Sequence, residues 1–216
     1  MKQKMTIIVD GNVGVGKTDF MRNIQKKLSS LNVDSEIVLE PVETWNMEQL
    51  LENAGKFPSA FMFQLQTLVM TTLFQRFGTP SKTSPRVTIF ERSLESSFEV
   101  FTKLHDQEKN LTQSEGRILH GLYLTFQKIK KIPKPDIHFY LRCPPEECYL
   151  RTQKRNQDGD KGVSLEYLKK LDAQYEKYYS ECLMKNKNLI VFDSNNLDSE
   201  KLAEEAARFI CLKLNM

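Results

Sequence analysis

The fold is decided by the stretch Gly11-Asn12-Val13-Gly14-Val15-Gly16-Lys17-Thr18. Its spacing is G-x-x-x-x-G-K-T, the pattern of a phosphate-binding loop between a strand and a helix. Residues 6–9 before it are predicted to form a buried strand, and residues 19–28 after it a helix. The glycines let such a loop turn tightly, and its N–H groups together with the start of the helix make an anion site. We therefore expect a nucleoside triphosphate here, with Lys17 at the outer phosphates and the Thr18 hydroxyl on Mg²⁺. The alternative is a chance glycine-rich turn.

The size and composition suit one α/β domain. The chain has 216 residues and a net charge of +3, from 31 basic and 28 acidic residues. This balance does not favour nucleic acid or a membrane surface as a partner. No apolar run is long enough to span a bilayer, and no targeting segment is expected before the first strand. The four cysteines lack zinc-site spacing and are expected to be reduced thiols of an intracellular, cytoplasmic protein; a redox or metal role is the alternative.

Five predicted strands alternate with predicted helices. The strands are expected at residues 6–9, 35–39, 87–90, 136–141 and 189–192. The helices are expected at residues 19–28, 47–54, 60–77, 94–104, 112–131, 165–184 and 198–214, with one more starting at Pro144-Pro145. Strands joined by helical crossovers predict a parallel sheet with helices on both faces, in a single domain spanning residues 1–216. Helix 60–77 is apolar on several faces, so we expect it to be deeply buried, and a capping box is predicted to open helix 112–131.

Polar motifs follow the predicted strand ends, which is where ligands bind in parallel sheets. Glu40 comes after the second strand, where a carboxylate can act as general base on a hydroxyl, and Trp45 can wall a pocket for a ring. Glu91 comes after the third strand, where it can hold Mg²⁺ across from Thr18. Arg92 can bind a substrate hydroxyl or bridge to Glu40. The alternatives are that Glu40 is a surface glutamate before a proline turn and that Trp45 is an ordinary core residue. For Glu91 and Arg92 the alternative is a local salt bridge.

Two further motifs lie on predicted helices. Arg151 and Arg155 are four residues apart, so they share a helix face next to the polar loop 157–162. Arginines beside a lid can clamp a transferring phosphoryl group, whereas the alternative is a solvated basic face. Gln64 follows the apolar residues 61–63, and a buried glutamine must be hydrogen-bonded. Its donors and acceptor suit the edge of a nucleobase, with a core glutamine bonded to backbone as the alternative.

Together these motifs resemble the deoxyribonucleoside kinase family, which includes deoxycytidine, deoxyguanosine and mitochondrial-type thymidine kinases and the insect multisubstrate enzyme. The resemblance spans nearly the whole chain. It rests, in the family's order, on the loop 11–18, residues 40–45, Phe63-Gln64, Glu91-Arg92-Ser93, Arg151, Arg155 and residues 165–168. It implies an α/β P-loop kinase fold, a five-stranded parallel sheet flanked by helices, with a short lid over roughly 151–163. It also implies ATP and Mg²⁺ as cofactors, a deoxynucleoside substrate and a homodimer.

The resemblance also implies a role for each site residue. Glu40 is expected to be the base on the 5′-hydroxyl, with Arg92 as its partner. Catalysis is thus assigned to Glu40, Arg92, Lys17, Arg151 and Arg155, and metal binding to Thr18 and Glu91. ATP is expected to contact the loop 11–18, Arg151, Arg155, Asp193, Asn195 and Asn196. The nucleoside is expected to contact Glu40, Trp45, Asn53, Phe63, Gln64, Thr67, Thr71, Arg92, Ser97, Phe101 and Asp160. Gln64 would contact the base edge, and Phe101 would stack on the base opposite Trp45.

Three positions depart from the family's pattern. Gln157 stands in place of a third lid arginine, Asn53 in place of a tyrosine for the 3′-hydroxyl, and Asp160 in place of a lid glutamate. The first leaves the phosphate clamp with fewer charges, and the other two alter the contact with the deoxyribose.

Base preference is predicted from two other positions. The deoxycytidine and deoxyguanosine kinases place an arginine and an aspartate near the reading glutamine, where this chain has the small, uncharged Thr71 and Ser97. The space left beside the ring suits the 5-methyl group of thymine, so a preference for pyrimidines, thymidine and deoxycytidine, is expected. Two other functions stay open. A thymidylate-type kinase would need a positive site for the phosphate of its acceptor, and a non-catalytic nucleotide-binding switch would need no acceptor.

Overall fold

The computed structural model describes residues 4–45, 58–78, 84–129, 132, 134–155, 163–185, 188–195 and 198–215. The chain divides into two compact units. The first, which we call the sheet unit, comprises Met1–Leu39, Pro80–Arg92 and Lys134–Met216. The second, the helical unit, comprises Glu40–Thr79 and Ser93–Pro133. The single domain predicted over residues 1–216 stays a prediction.

Five parallel strands form one sheet in the sheet unit. They are β1 Met5–Gly11, β2 Ser35–Val38, β3 Val87–Glu91, β4 Ile137–Arg142 and β5 Leu189–Asp193. Their order across the sheet is β2-β3-β1-β4-β5. This confirms the predicted five-stranded parallel sheet, with each predicted strand within two residues of the observed one at either end. The central position of β1 explains its apolar sequence, because Ile7 pairs with Ile89 on one side and Ile137 on the other.

Helices connect the strands and build the helical unit. They are α1 Lys17–Ser30, α2 Pro58–Gly78, α3 with its three parts Leu94–Ser96, Ser97–Thr102 and Lys103–Gln107, α4 Gln113–Lys128, α5 Pro145–Arg155, α6 Leu165–Met184 and α7 Ser199–Lys213. The middle part of α3 is a π-helix. A single 3₁₀ turn occupies Val42–Thr44. The predicted helix at 47–54 lies outside the described residues. No helix in the described part of the chain is both long enough and apolar enough to cross a membrane.

The core of the sheet unit forms because α1 is amphipathic. Phe20, Ile24 and Leu28 recur at every fourth position of α1 and are buried. The Phe20 ring lies 5.9 Å from the ring of Phe139 in β4 and 5.6 Å from that of Phe192 in β5. Helices α1 and α7 pack against each other, as do α5 and α6. This packing fixes the start of α1, and with it the phosphate loop.

The helical unit has a separate core. It consists of Met70, Leu94, Phe98, Leu111, Leu119 and Tyr123. The Phe98 and Tyr123 rings stack at 4.2 Å, which joins α3 to α4. The predicted capping box is confirmed, since the Thr112 hydroxyl accepts from the Glu115 N–H at the start of α4. The deep burial predicted for α2 is wrong. Most of its described side chains are only half-buried, although α2 packs against α3 and α4 of its own unit.

Candidate active site

The phosphate loop runs from the end of β1 to the start of α1, as its spacing predicts. Gly16 is the N-cap of α1. The Asn12 amide anchors the loop, because its Oδ1 accepts from the Val13 N–H at 2.8 Å and its Nδ2 donates to the Leu168 carbonyl at 3.0 Å. The first N–H groups of a helix have no partner within it, so the start of α1 is suited to the anion that the sequence predicts.

Lys17 is held inside this loop. Its side chain is buried, and Nζ donates to the carbonyls of Asn12 at 3.0 Å and Gly11 at 3.3 Å. Glu91, at the end of β3, places Oε1 3.9 Å from the same Nζ. Thr18 follows in the first turn of α1 and is half-buried. The loop therefore brings together a cation, a carboxylate and a hydroxyl, which suits a nucleotide phosphate with its metal ion.

Arg92 lies at the same loop. Its backbone is in the left-handed region with φ of 61°, an uncommon conformation for a residue with a side chain. Its N–H donates to the Val9 carbonyl at 2.9 Å, which ties the turn after β3 to β1. The guanidinium is buried, and Nη1 donates to the Gly11 carbonyl at 3.3 Å and to the Tyr175 hydroxyl at 2.5 Å. Gly11 thus accepts hydrogen bonds from both Lys17 and Arg92.

The two arginines of α5 lie in different environments. Arg151 is half-buried and donates to the Val15 carbonyl of the loop and to the Ser194 carbonyl after β5, each at 3.1 Å. Its Nε donates to Glu147 at 3.0 Å. Arg155, one turn later, is exposed. The structure therefore places Arg151 directly on the phosphate loop.

Asp193 and Asn195, two of the residues predicted to contact ATP, are exposed at the carboxyl end of β5. The Asp193 carboxylate accepts from the Asn195 N–H at 2.9 Å. This bond fixes a turn next to Ser194, to which Arg151 donates. Four positions lie outside the described residues. They are the predicted contacts Asn53, Asp160 and Asn196, and Gln157, which departs from the family's pattern.

Two groups of polar side chains beside the loop were not predicted as part of the site. Cys143 and Cys148 are buried, and a hydrogen bond from the Cys148 thiol, helped by the charge of Arg151, lowers the pKa of Cys143 to about 7. Asp10 and His138 lie on the neighbouring strands β1 and β4, with Oδ2 and Nε2 2.9 Å apart. The sequence did contain a signal for Asp10 and His138, because each is a charged or polar residue inside an otherwise apolar strand.

Several of the residues predicted to contact the nucleoside belong to the helical unit, whereas Arg92 belongs to the sheet unit. Glu40 is half-buried. Trp45 is buried, and its indole N–H donates to the Thr72 hydroxyl of α2 at 3.0 Å. This bond fixes the ring against α2, as an aromatic wall requires. Phe63 and Phe101 are half-buried.

The buried amide on α2 is Gln66, not Gln64. Gln64 is exposed, so the expectation of a buried glutamine at this position is wrong. Gln66 lies two residues along and accepts from the Thr102 hydroxyl at 2.9 Å, which joins α2 to the π-helix of α3. Two residues correspond to about 200° around a helix, so Gln64 and Gln66 lie on opposite sides of α2. Because the helix is apolar on several faces, the sequence could not indicate which of the two sides is buried.

Thr67, Thr71 and Ser97 lie on the two helices that this bond joins. The Thr67 hydroxyl donates to the Phe63 carbonyl at 2.8 Å, and the Thr71 hydroxyl donates to the Thr67 carbonyl at 2.6 Å. Ser97 begins the π-helix and is buried. Its Oγ has no hydrogen-bond partner among the described residues. A buried hydroxyl without a partner can form a hydrogen bond with a polar atom of a ligand.

Known proteins are similar to this chain over nearly its whole length. The family model described as deoxynucleoside kinase matches residues 7–211. The chain is 28% identical to a thymidine kinase of Ictalurid herpesvirus 1 (strain Auburn), over 83% of this chain and 76% of the relative. It is also 28% identical to a deoxyguanosine kinase of Dictyostelium discoideum, over 88% of this chain and 64% of that one.

A solved structure shows the same fold. It is that of a deoxyadenosine kinase from M. mycoides, described with the products dCMP and a flexible dCDP bound. It has a TM-score of 0.74, is 26% identical in sequence, and the match covers 98% of both chains. The named relatives thus include purine and pyrimidine kinases. The family model covers nearly the whole chain and the phosphate loop has the geometry that such an enzyme needs, so this protein belongs to the deoxynucleoside kinase family and is a kinase that phosphorylates a nucleoside from a nucleotide donor.

Proposed function

We propose that the protein transfers the γ-phosphoryl group of ATP to the 5′-hydroxyl of a deoxyribonucleoside and prefers pyrimidines. The observation that carries this proposal is the set of side chains gathered at one phosphate loop. Lys17, Arg92 and Arg151 all donate to carbonyls of the loop region 11–15. Phosphoryl transfer relies on positioning and charge stabilisation, and three cations at one loop supply both.

On the donor side, Lys17 takes the outer phosphates and Arg151 supports the charge that develops during transfer. Thr18 and Glu91 fit Mg²⁺, because a hydroxyl and a carboxylate are hard oxygen ligands and phosphate oxygens can complete the shell. Glu91 is 8% exposed and 3.9 Å from Lys17, so its charge already faces the phosphate site. The metal, when bound, would neutralise charge on the β- and γ-phosphates.

On the acceptor side, Glu40 accepts the proton of the 5′-hydroxyl. It follows β2 by two residues, at the carboxyl end of a parallel strand, where substrates of such sheets bind. Trp45, fixed by Thr72, stacks against the base, and Gln64 contacts the base edge from an exposed position on α2. A glutamine amide can match donors and acceptors of either pyrimidine by turning over.

The pyrimidine preference rests on Thr71 and Ser97. Neither carries a charge, and the Thr71 hydroxyl proton is already used within α2. The Ser97 hydroxyl is buried and has no hydrogen-bond partner among the described residues, so it offers one polar contact. Two small, uncharged residues leave room for the methyl group of thymine, although a methyl contact is worth only about 1–3 kcal/mol, so discrimination against deoxycytidine should be modest.

Two further properties belong to this proposal. The protein is expected to be a homodimer, and the exposed Ile118 and Leu124 on α4 supply apolar surface for pairing, at 57% and 42% exposure. Its four cysteines are free thiols, which suits a reducing, intracellular compartment. Light scattering at micromolar concentration tests the dimer; a monomer mass would contradict it, and Ile118→Glu should shift a dimer towards monomer.

The decisive experiment is a phosphorylation panel. Thymidine, deoxycytidine, deoxyadenosine, deoxyguanosine and their 5′-monophosphates are each incubated with MgATP, and ADP release is measured. The proposal predicts transfer to nucleosides, with the highest kcat/KM for the two pyrimidines. Faster turnover of a monophosphate would indicate a nucleoside monophosphate kinase, and hydrolysis independent of any acceptor would indicate a switch protein. The double variant Thr71→Arg with Ser97→Asp should lose preference for thymidine.

A further inference from the structure

A buried hydrogen bond joins two helices of the helical unit that carry predicted contacts to the base. The hydroxyl of Thr102, in the π-helical part of α3, donates to Gln66 Oε1 of α2 at 2.9 Å. Both side chains are more than nine-tenths buried. The core of the same unit is built from apolar and aromatic side chains. This polar pair has no role in the proposed function as it stands.

Thr102 also approaches the backbone at the start of the π-helix. Its Oγ1 lies 3.5 Å from the carbonyl oxygen of Ser97. Ser97 is five positions earlier, which is the separation of two residues that are hydrogen-bonded in a π-helix. The Ser97 hydroxyl is the buried group that has no hydrogen-bond partner among the described residues. The Thr102 hydroxyl thus connects α2 to the backbone that carries this group.

Gln66 occupies the matching place on α2. It comes directly before Thr67 and three residues after Phe63, and both of these are predicted to contact the nucleoside. Its Nε2 lies 3.8 Å from the sulfur of Met62, and a thioether sulfur is a weak acceptor. The bond to Thr102 is therefore the strong hydrogen bond of this amide.

A hydrogen bond fixes the placement of two helices more narrowly than apolar packing does. Apolar burial is non-directional, whereas a hydrogen bond needs its donor and acceptor within a few tenths of an ångström of one distance. A shift of α3 along α2 would separate Thr102 from Gln66 and leave a buried amide oxygen without its donor, which is unfavourable. The bond therefore favours one register between the two helices.

We infer that the Gln66–Thr102 hydrogen bond positions the nucleoside site, because it holds the π-helix of α3 against α2 with Ser97 and Phe101 placed for the base. This inference rests on the proposed function, in which Ser97 and Phe101 contact the nucleoside. It makes Gln66 and Thr102 positioning residues for the acceptor. The donor site at the phosphate loop does not depend on this bond.

The test begins with Thr102→Val, which replaces the hydroxyl by a methyl group of similar size. We expect KM for thymidine to rise by about 2- to 10-fold, the factor that corresponds to one neutral hydrogen bond, with KM for ATP unchanged. Thr102→Ser keeps the hydroxyl, so its KM for thymidine should stay within about twofold of wild type. An unchanged KM for thymidine in Thr102→Val, or an equal rise for ATP, would overturn the inference. So would a Thr102→Ser variant as impaired as Thr102→Val.

The matched control is Thr112→Ala. It removes the N-cap of α4 in the same unit and so lowers stability without touching the bond between α2 and α3. Its KM for thymidine should equal that of wild type at a temperature where thermal unfolding shows every variant to be folded. A rise as large as in Thr102→Val would show that lower stability is the cause, and the positioning role would be wrong.

A double-mutant cycle tests the bond itself. Gln66→Leu alone should raise KM for thymidine by about the same factor as Thr102→Val, and the double variant should raise it no further, because the same bond is lost in all three. A rise equal to the product of the two single effects would overturn the inference. The double variant leaves neither partner of the bond unsatisfied, so it should fold even if a single variant does not, and its KM then decides.

These measurements also distinguish the inference from the proposed function. If the wild-type protein transfers phosphate to no deoxynucleoside, the proposed function is wrong. If the wild type is active and the Thr102→Val and Gln66→Leu variants keep its KM for thymidine, the positioning role alone is wrong.

Discussion

Replacing Gly14 by alanine should destabilise the protein more than the same change at Gly16, although both glycines belong to the phosphate loop. Both have positive φ, 80° at Gly14 and 97° at Gly16, and alanine in the left-handed region costs about 1–2 kcal/mol. At Gly16 a Cβ atom would meet nothing within 4 Å, so this strain is the whole cost. At Gly14 it would lie 2.4 Å from the Cys148 carbonyl oxygen and 2.8 Å from Thr152 Cγ2, so α5 would have to move. Overpacking of this kind costs about 1–3 kcal/mol, which gives totals of about 2–5 kcal/mol for Gly14→Ala and about 1–2 kcal/mol for Gly16→Ala.

Urea unfolding followed by far-UV circular dichroism measures both values. It should be done without nucleotide, so that lost ligand contacts do not contribute to the difference. Equal losses for the two variants, or a larger loss for Gly16→Ala, would refute the reasoning, because it depends on the packing of the loop against α5. An unchanged m-value would show that the variants differ in stability and not in the surface exposed on unfolding.

Four more predictions concern single side chains. Lys17→Ala should reduce kcat/KM for ATP by about 10- to 100-fold, since it removes a charged contact to the outer phosphates; unchanged ATP kinetics would contradict this. Glu40→Gln should lower kcat by about 10²- to 10⁴-fold at saturating nucleoside without weakening ATP binding measured by calorimetry, and near-normal turnover would exclude a base role. His138→Ala should lower the free energy of unfolding by about 1–3 kcal/mol, because it removes one hydrogen-bond partner of the buried Asp10 side chain; an unchanged free energy of unfolding would contradict this. Burial lowers the pKa of His105 from its ordinary value of 6.5, so the unfolded chain binds a proton more readily than the native state. Stability should therefore fall as the pH drops below 6.5 towards the native-state pKa, and His105→Gln should flatten that part of the pH profile.

The sequence predicted those parts of the site that depend on local spacing. The loop 11–18, the capping box at Thr112 and the order of strands and helices follow from residues close together in the chain, and the structure has them. The family resemblance was likewise carried by motifs with fixed spacing. These features are local, so they need no knowledge of the tertiary fold.

What the sequence missed depends on contacts between distant segments. Gln66 rather than Gln64 is buried because a hydroxyl from α3, 36 positions away, meets it. The partnership of Arg92 with Tyr175 has the same origin. The π-helix inside α3 has no simple sequence pattern, and π-helical turns are rare insertions that often occur at functional sites.

The burial of Lys17 has a thermodynamic consequence. Its ammonium group loses most of its water when the protein folds and takes the carbonyls of Gly11 and Asn12 instead. Nucleotide binding would then exchange carbonyl oxygens for phosphate oxygens, and no hydration shell has to be removed from the cation at that step. The cost of that dehydration therefore falls on the folding of the nucleotide-free protein and not on nucleotide binding. Bound nucleotide adds its own linked stabilisation, about 2.7 kcal/mol at a concentration 100 times the Kd.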